Sequence, residues 1–252
     1  MHHDEIDRRQ WDRPPRASAP DRRVVICSTP RSGSYLLCRQ MINAGLGLPA
    51  EYFRARTVAR LAERWGVPPG DLSAYIDALE AHRTMANGIF AAKIQWYQLT
   101  QHPVARERLV ERADLVVYLY RRDVVAQAVS WQVSLATGFW SFDATPGPRA
   151  SGVALDRVDQ TLRLANDLVA QNRAWEALLA RFPRPVLRVP YETYVREQSG
   201  LLRQMAADLA LPSDAWDLPP PERHDTRLPD DVEAAREHLL VQARAAFATT
   251  GA

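Results

Sequence analysis

Apolar and polar positions along this chain fall into two alternating kinds of block, short β-branched runs and longer stretches with helical spacing. Val24-Val25-Ile26 has the character of a buried parallel strand. Residues 33 to 44 follow it, with Leu36, Leu37, Met41 and Ile42 at helical spacing as far as Gly45. Residues 55 to 66 and 71 to 84 predict two helices separated by Pro68-Pro69-Gly70-Asp71, and residues 88 to 95 predict a second strand. The clearest strand is ADLVVYLY, 113 to 120, followed by a helix that Asp123 opens. A Gly/Pro-rich loop at 138 to 152 leads into a long helix ending near residue 182. PVLRVPYE then supplies a short strand, and 193 to 210 a further helix. Residues 211 to 230 are proline-rich and irregular, and Pro229-Asp230-Asp231 starts a last amphipathic helix.

Strands alternating with helices predict an α/β fold, with a mostly parallel central sheet flanked by helices and ligands bound beyond the carboxyl ends of the strands. Composition adds limits to this picture. With 252 residues, 46% apolar content and a formal net charge of +2, the chain can bury one sizeable core, and no overall field points to nucleic acid. The arginine-rich, proline-containing residues 1 to 22 predict a solvated, disordered arm, and residues 23 to 252 a single domain. No apolar run approaches the roughly 18 to 20 residues of a membrane span, and the polar N-terminus lacks the apolar core of a secretory signal, so a cytoplasmic location is expected. Cys27 and Cys38 have no metal-ligand company at zinc-like spacing and are expected to be buried thiols, with no metal site.

Chemistry concentrates at two strand-to-helix turns. The first, CSTPRSGSYLLC at 27 to 38, places the backbone N–H groups of Ser32-Gly33-Ser34 at a helix N-terminus, where open amides and the helix dipole favour a phosphate-like group. Gly33 allows close backbone approach and Arg31 adds a permanent bidentate charge. The nucleotide triphosphate P-loop, G-x-x-x-x-G-K-[ST], is a poor match: Ser28 stands at its first glycine and Ser34 at its lysine, which disfavours ATP or GTP hydrolysis. Taken alone, the segment also fits an ordinary helix start with Arg31 in solvent. At the second turn, Arg121-Arg122 ends a buried strand and Ser130 lies about two helical turns on, so guanidinium and hydroxyl could meet one phosphate. The plain alternative is an ion pair of either arginine with Asp123.

STPRSGSYLL followed by LPAEYF, AAKIQW and YRRDVVAQAVSW resembles, in order and spacing, the bacterial trehalose 2-sulfotransferase family. The resemblance is strong over residues 24 to 140 and looser over 185 to 240. It implies a P-loop-like sulfotransferase fold, a homodimer, and transfer of sulfonate from 3′-phosphoadenosine 5′-phosphosulfate (PAPS) to a hydroxyl of a small, carbohydrate-containing acceptor. Arg31, Ser32, Gly33 and Ser34 would then hold the 5′-phosphosulfate, and Arg121 with Ser130 the 3′-phosphate. Arg223 and Arg227 of ERHDTR become candidates for closing over the nucleotide. Tyr35 stands where the family usually has Thr, which leaves open whether it contacts the cofactor, lines the acceptor side or only packs. Glu51 of PAEYF matches the family's general base, and Tyr52-Phe53 after it would shield the carboxylate and raise its pKa. His102 is the rival base, although His102-Pro103 has the look of a turn into a helix.

Lys93 is the only lysine of the chain, set in an apolar strand. It either meets the acceptor or the bridging oxygen of the phosphosulfate, where charge develops, or reaches water at the strand end. Among Trp96, Tyr97, Trp131, Phe139 and Trp140, the aromatics at the ends of the same elements, Trp96 and Trp131 are the candidates for pocket walls. Leu61, Trp65, Leu72, Tyr75, Ile76 and Leu79 form an apolar stripe on the helices at 55 to 66 and 71 to 84. That stripe predicts burial against a twofold mate or, alternatively, a lid over the acceptor site. Two other function classes fit the sequence less well: a P-loop kinase, and a non-catalytic protein that binds adenosine 3′,5′-bisphosphate (PAP).

Overall fold

The computed structural model describes residues 8–140, 155–212, 218–221 and 228–249. Four parallel strands, β1 (Arg22–Ser28), β2 (Ile89–Gln95), β3 (Leu115–Tyr120) and β4 (Val186–Pro190), form a sheet in the order β2-β1-β3-β4. The helices are α1 (Ser34–Asn43), α2 (Ala55–Arg64), α3 (Leu72–Arg83), α4 (Trp96–Gln101), α5 (Pro103–Ala105, continued by a π turn), α6 (Val124–Thr137), α7 (Val158–Leu179), α8 (Tyr191–Tyr194), α9 (Gln198–Asp208) and α10 (Asp230–Thr249). No helix among the described residues is long and apolar enough to cross a membrane.

Period-2 alternation along β1 explains the layering. Val24 and Ile26 pack with Leu36, Leu37 and Met41 of α1 and Leu202 and Met205 of α9. Val25 and Cys27 face the opposite layer, with Leu61 of α2, Tyr75, Ile76 and Leu79 of α3 and Trp175 of α7. Both faces are therefore covered, which is why the strands carry near-continuous apolar runs. Asp71 and Asp123 cap α3 and α6 by accepting from the N–H groups of Ala74 and Ala126, each at 2.9 Å. Cys27 and Cys38 are buried free thiols, as expected.

Three expectations change. Residues 8–21 of the presumed disordered arm are bonded to the body: Arg9–Trp11 form a 3₁₀ turn, and the Arg13 and Arg16 N–H groups donate to the carbonyls of His82 and Ala81. Residues 1–7 lie outside the described residues. In the apolar stripe of α2 and α3, Leu61, Tyr75, Ile76 and Leu79 are buried within the chain itself and Trp65 and Leu72 pack part-buried against them, so the stripe by itself calls for neither a twofold mate nor a lid. The helix expected over 193–210 is divided into α8 and α9, because the N–H of Glu197 turns back to the carbonyls of Thr193 and Tyr194.

Candidate active site

The strand order puts the switch point between β1 and β3, since the chain leaves β1 toward one side for β2 and returns on the other for β3. Both turns picked out in the sequence open there. Ser28, the last residue of β1, is in register with Gln95 of β2 on one side and Leu119 of β3 on the other, and Tyr120 is in register with Pro190. The groups that follow these strand ends lie side by side along one edge of the sheet.

The first turn has left-handed backbone at Arg31 (φ 62°) and Gly33 (φ 85°). Only glycine fits at residue 33, since a Cβ there would lie 2.4 Å from the ring of Tyr191. No side-chain hydrogen bond caps α1 at Gly33, so its first-turn N–H groups are available to an anion. The hydroxyls of Ser28 and Ser32 are buried, with no partner in the protein among the described residues. The loop is braced from behind. Gln127 of α6 donates to the Thr29 hydroxyl at 3.0 Å and the Pro30 carbonyl at 2.6 Å, and the Trp175 indole donates to the Ser28 carbonyl at 3.0 Å. Asn172 Oδ1 accepts from the Thr29 and Tyr118 hydroxyls.

The second turn delivers its groups to the first. Arg31 Nε donates to Ser130 Oγ at 3.1 Å, and Arg31 Nη1 donates to the Trp140 carbonyl. The Arg121 guanidinium lies 4.7 Å from the centroid of the Tyr191 ring. Burial, with a contribution from Arg121, pulls the pKa of Arg31 down to about 10, and burial also lowers that of Arg121. Two half-buried like charges close enough to repel form a receptor for an anion. Asp123 and Glu192 offset part of the Arg121 charge from a distance, but the carboxylate of Asp123 makes its ion pair with Arg244. Arg122 points elsewhere, toward the Thr193 hydroxyl. Ser34 is buried at the first position of α1 and Tyr35 is part-buried at the second. Arg223 and Arg227 lie outside the described residues.

On the β2 side, Glu51 stands at the centre of a donor set. Lys93 Nζ is 2.6 Å from its Oε1, Gln95 Nε2 donates to Oε1 at 3.2 Å, Gln98 Nε2 donates to Oε2 at 3.4 Å, and Arg54 Nε is 3.8 Å away. A capping box at the start of α4 fixes both amides. Lys93, expected at the bridging oxygen, the acceptor or the solvent, is buried and turned onto Glu51. Tyr52 and Phe53 are buried in the core beneath the loop, and the Tyr52 hydroxyl donates to the Leu48 carbonyl. They anchor Glu51 from below, and the carboxylate is surrounded by donors instead of the apolar shield expected from the sequence. His102 caps the end of α4 with its ring 6.1 Å from that of Phe53.

Both candidate walls are part-buried. Trp96 is edge-on to Trp175 at 5.1 Å, and Trp131 packs with Ala165 and Leu168 of α7. Tyr97, 40% exposed, stands beside Glu51 instead, its hydroxyl accepting from Gln98 at 3.1 Å. Sequence reasoning missed Gln127 and Tyr191, although signals existed. Gln127 lies three residues before Ser130 on the same helix face, and Tyr191 follows the end of a strand beside the switch point. Asn172 and Trp175 gave no local signal.

The sequence pattern of the Stf0 sulphotransferase family matches residues 23–231. The chain belongs to the Stf0 sulfotransferase family. Solved structures that resemble it include a sulfotransferase from Alicyclobacillus acidocaldarius, 11% identical, with a TM-score of 0.51 and coverage of 92% of this chain and 96% of that one. Another is the sulfotransferase domain of the Synechococcus PCC 7002 olefin synthase, 19% identical, with a TM-score of 0.42 and coverage of 95% and 98%. At 11% identity the likeness to the Alicyclobacillus enzyme is one of fold. None of the curated proteins compared matches the chain. The parallel sheet with its helical flanks is thus the sulfotransferase architecture, and the Stf0 match extends over both turns, Glu51 and Lys93.

Proposed function

We propose that this sulfotransferase moves the sulfonate of PAPS to a hydroxyl of a small, carbohydrate-containing acceptor of the trehalose type in the cytoplasm. The observation that carries the reading is the half-buried pair Arg31 and Arg121, converging with Ser130 on the uncapped N-terminus of α1. PAPS presents two anionic groups, and the two turns supply one cradle for each. The amides of residues 32–34 and the Ser32 hydroxyl suit the 5′-phosphosulfate. Arg121 and Ser130 suit the 3′-phosphate, with Arg31 between them.

In the reaction, Glu51 accepts the acceptor's hydroxyl proton as that oxygen attacks sulfur; the new S–O bond forms while the bond from sulfur to the bridging phosphate oxygen breaks, and PAP leaves. Lys93, Gln95 and Gln98 hold the carboxylate on the acceptor side, and the α1 amides with Arg31 meet the charge that grows on the leaving phosphate. Tyr97 offers an exposed ring beside the base, on which a sugar face can stack. A homodimer belongs to the same proposal and rests on the family resemblance, since the α2–α3 stripe is satisfied within the chain.

Calorimetry on Arg121→Ala tests the two-cradle assignment. Losing a charge-assisted contact to the 3′-phosphate should weaken PAP about 10- to 150-fold. Adenosine 5′-phosphosulfate, which lacks that group, should lose little. Equal losses for both nucleotides would move Arg121 away from the 3′-phosphate.

A further inference from the structure

The family match begins at residue 23, yet the segment before it is bonded to the end of α3, whose Arg83 lies over the ring of Tyr52, next to Glu51. Arg83, the last residue of α3, is fully buried. A guanidinium in that position requires a countercharge. Asp12 supplies it: Arg83 Nη2 donates to Asp12 Oδ1 at 2.8 Å, while Arg64 Nη1 of α2 is 3.3 Å from Oδ2. The same segment closes the end of α3, with the Arg13 and Arg16 N–H groups donating to the His82 and Ala81 carbonyls at 2.9 and 3.2 Å. The arm is thus fastened to α3 by backbone and charge together.

From Arg83 the contact continues to the site. Its guanidinium lies 5.7 Å from the ring centroid of Tyr52 and 5.6 Å from that of Trp65. Tyr52 directly follows Glu51. Its hydroxyl donates to the Leu48 carbonyl, and its own carbonyl accepts from the Tyr75 hydroxyl of α3 at 2.8 Å, so Tyr52 is tied to the loop at one end and to α3 at the other. We infer that Asp12 is a positioning residue for Glu51: it neutralises Arg83, which holds the Tyr52 ring and with it the 48–52 loop. The N-terminal segment is on this account part of the acceptor half of the enzyme. The inference rests on the reading of Glu51 as the base only for its effect on turnover.

Hydrogen exchange on the full chain tests it without an acceptor. Asp12→Asn leaves a buried cation without its carboxylate, and exchange in residues 48–54 should quicken by at least about tenfold while PAP affinity stays within about twofold. Asp12→Glu should restore slow exchange. Turnover of PAPS should fall in Asp12→Asn and recover in Asp12→Glu. Should Asp12→Asn not fold, the double variant Asp12→Asn/Arg83→Met removes the stranded charge and should still show fast exchange at 48–54. Unchanged exchange there, or an equal rise throughout the protein, overturns the inference. Full turnover in Glu51→Gln would instead sink the base assignment and leave the effect of Asp12 on the loop standing.

Discussion

The two halves of the site treat buried charge in opposite ways. On the β3 side, Arg31 and Arg121 face each other with a hydroxyl, a carbonyl and an aromatic ring for company, and neither makes an ion pair with a carboxylate among the described residues. On the β2 side, Lys93 and Glu51 neutralise each other at 2.6 Å, and two glutamine amides fill further positions on the carboxylate. The first half is incomplete without an anion, and its repulsion is relieved when one binds. The second half is complete before any ligand arrives, which suits a base whose geometry must already be set when the acceptor enters. Binding energy and chemistry are therefore assigned to different strands of one sheet edge.

The largest effect expected from this division is on turnover. Glu51→Gln keeps the size of the side chain but removes the proton acceptor, and should lower the rate by about 10² to 10⁴. PAP affinity should remain within about twofold, because Lys93, Gln95, Gln98 and Arg54 around Glu51 are not the groups assigned to the nucleotide. Steady-state rates with calorimetry on the same preparation check both numbers. A collapse of PAP affinity would mean that the two halves are not separable.

Much of this division was legible in the sequence. Arg31, Gly33, Arg121, Ser130 and Glu51 stand in short motifs at strand ends, where local spacing and the α/β rule for ligand position both apply. What spacing could not show is which groups face each other across the sheet. Lys93 was visible as an isolated cation in an apolar strand, but only the register of β1 with β2 and the path of the 48–52 loop turn it onto Glu51. Asp12 and Arg83, 71 positions apart, gave no local signal. An arginine-rich, proline-containing segment has the composition of a solvated arm, and tertiary contacts with the end of α3 overrule that composition.

A second effect, smaller and on stability, has opposite expectations for the two halves. Lys93→Met leaves a buried carboxylate without its closest cation and should destabilise the free protein by about 3 kcal/mol, or roughly 6 to 12 °C in Tm for a chain of this size. Arg121→Met removes one of two repelling half-buried cations at the cost of a ring contact, so its stability should stay within about 1 kcal/mol of the parent, roughly 2 to 4 °C in Tm, or rise. Thermal melting without nucleotide distinguishes them. Similar losses in both variants would erase the contrast between a neutralised half and an incomplete one.

The smallest effect is a pH dependence confined to the anion half. Burial, with a contribution from Arg121, lowers the pKa of Arg31 from its ordinary range to about 10 in the free protein. For a base whose folded pKa is depressed, the charged form costs stability below that pKa, and the cost is released as pH rises from about 10 toward the unfolded value. Bound nucleotide reverses the balance, because an anion beside Arg31 favours the charged guanidinium. Between about pH 7.5 and 9 the arginine is charged with or without ligand, and PAP affinity should be flat. Above about pH 10 binding must draw a proton from solvent, and affinity should fall by up to about tenfold per pH unit. Calorimetry near pH 10 in two buffers of different ionisation enthalpy reads that proton uptake directly. Arg121→Met removes one contribution to the shift and should move the decline to higher pH. An affinity that stays flat through pH 11 with no proton uptake would show that the Arg31 charge is not what the nucleotide completes.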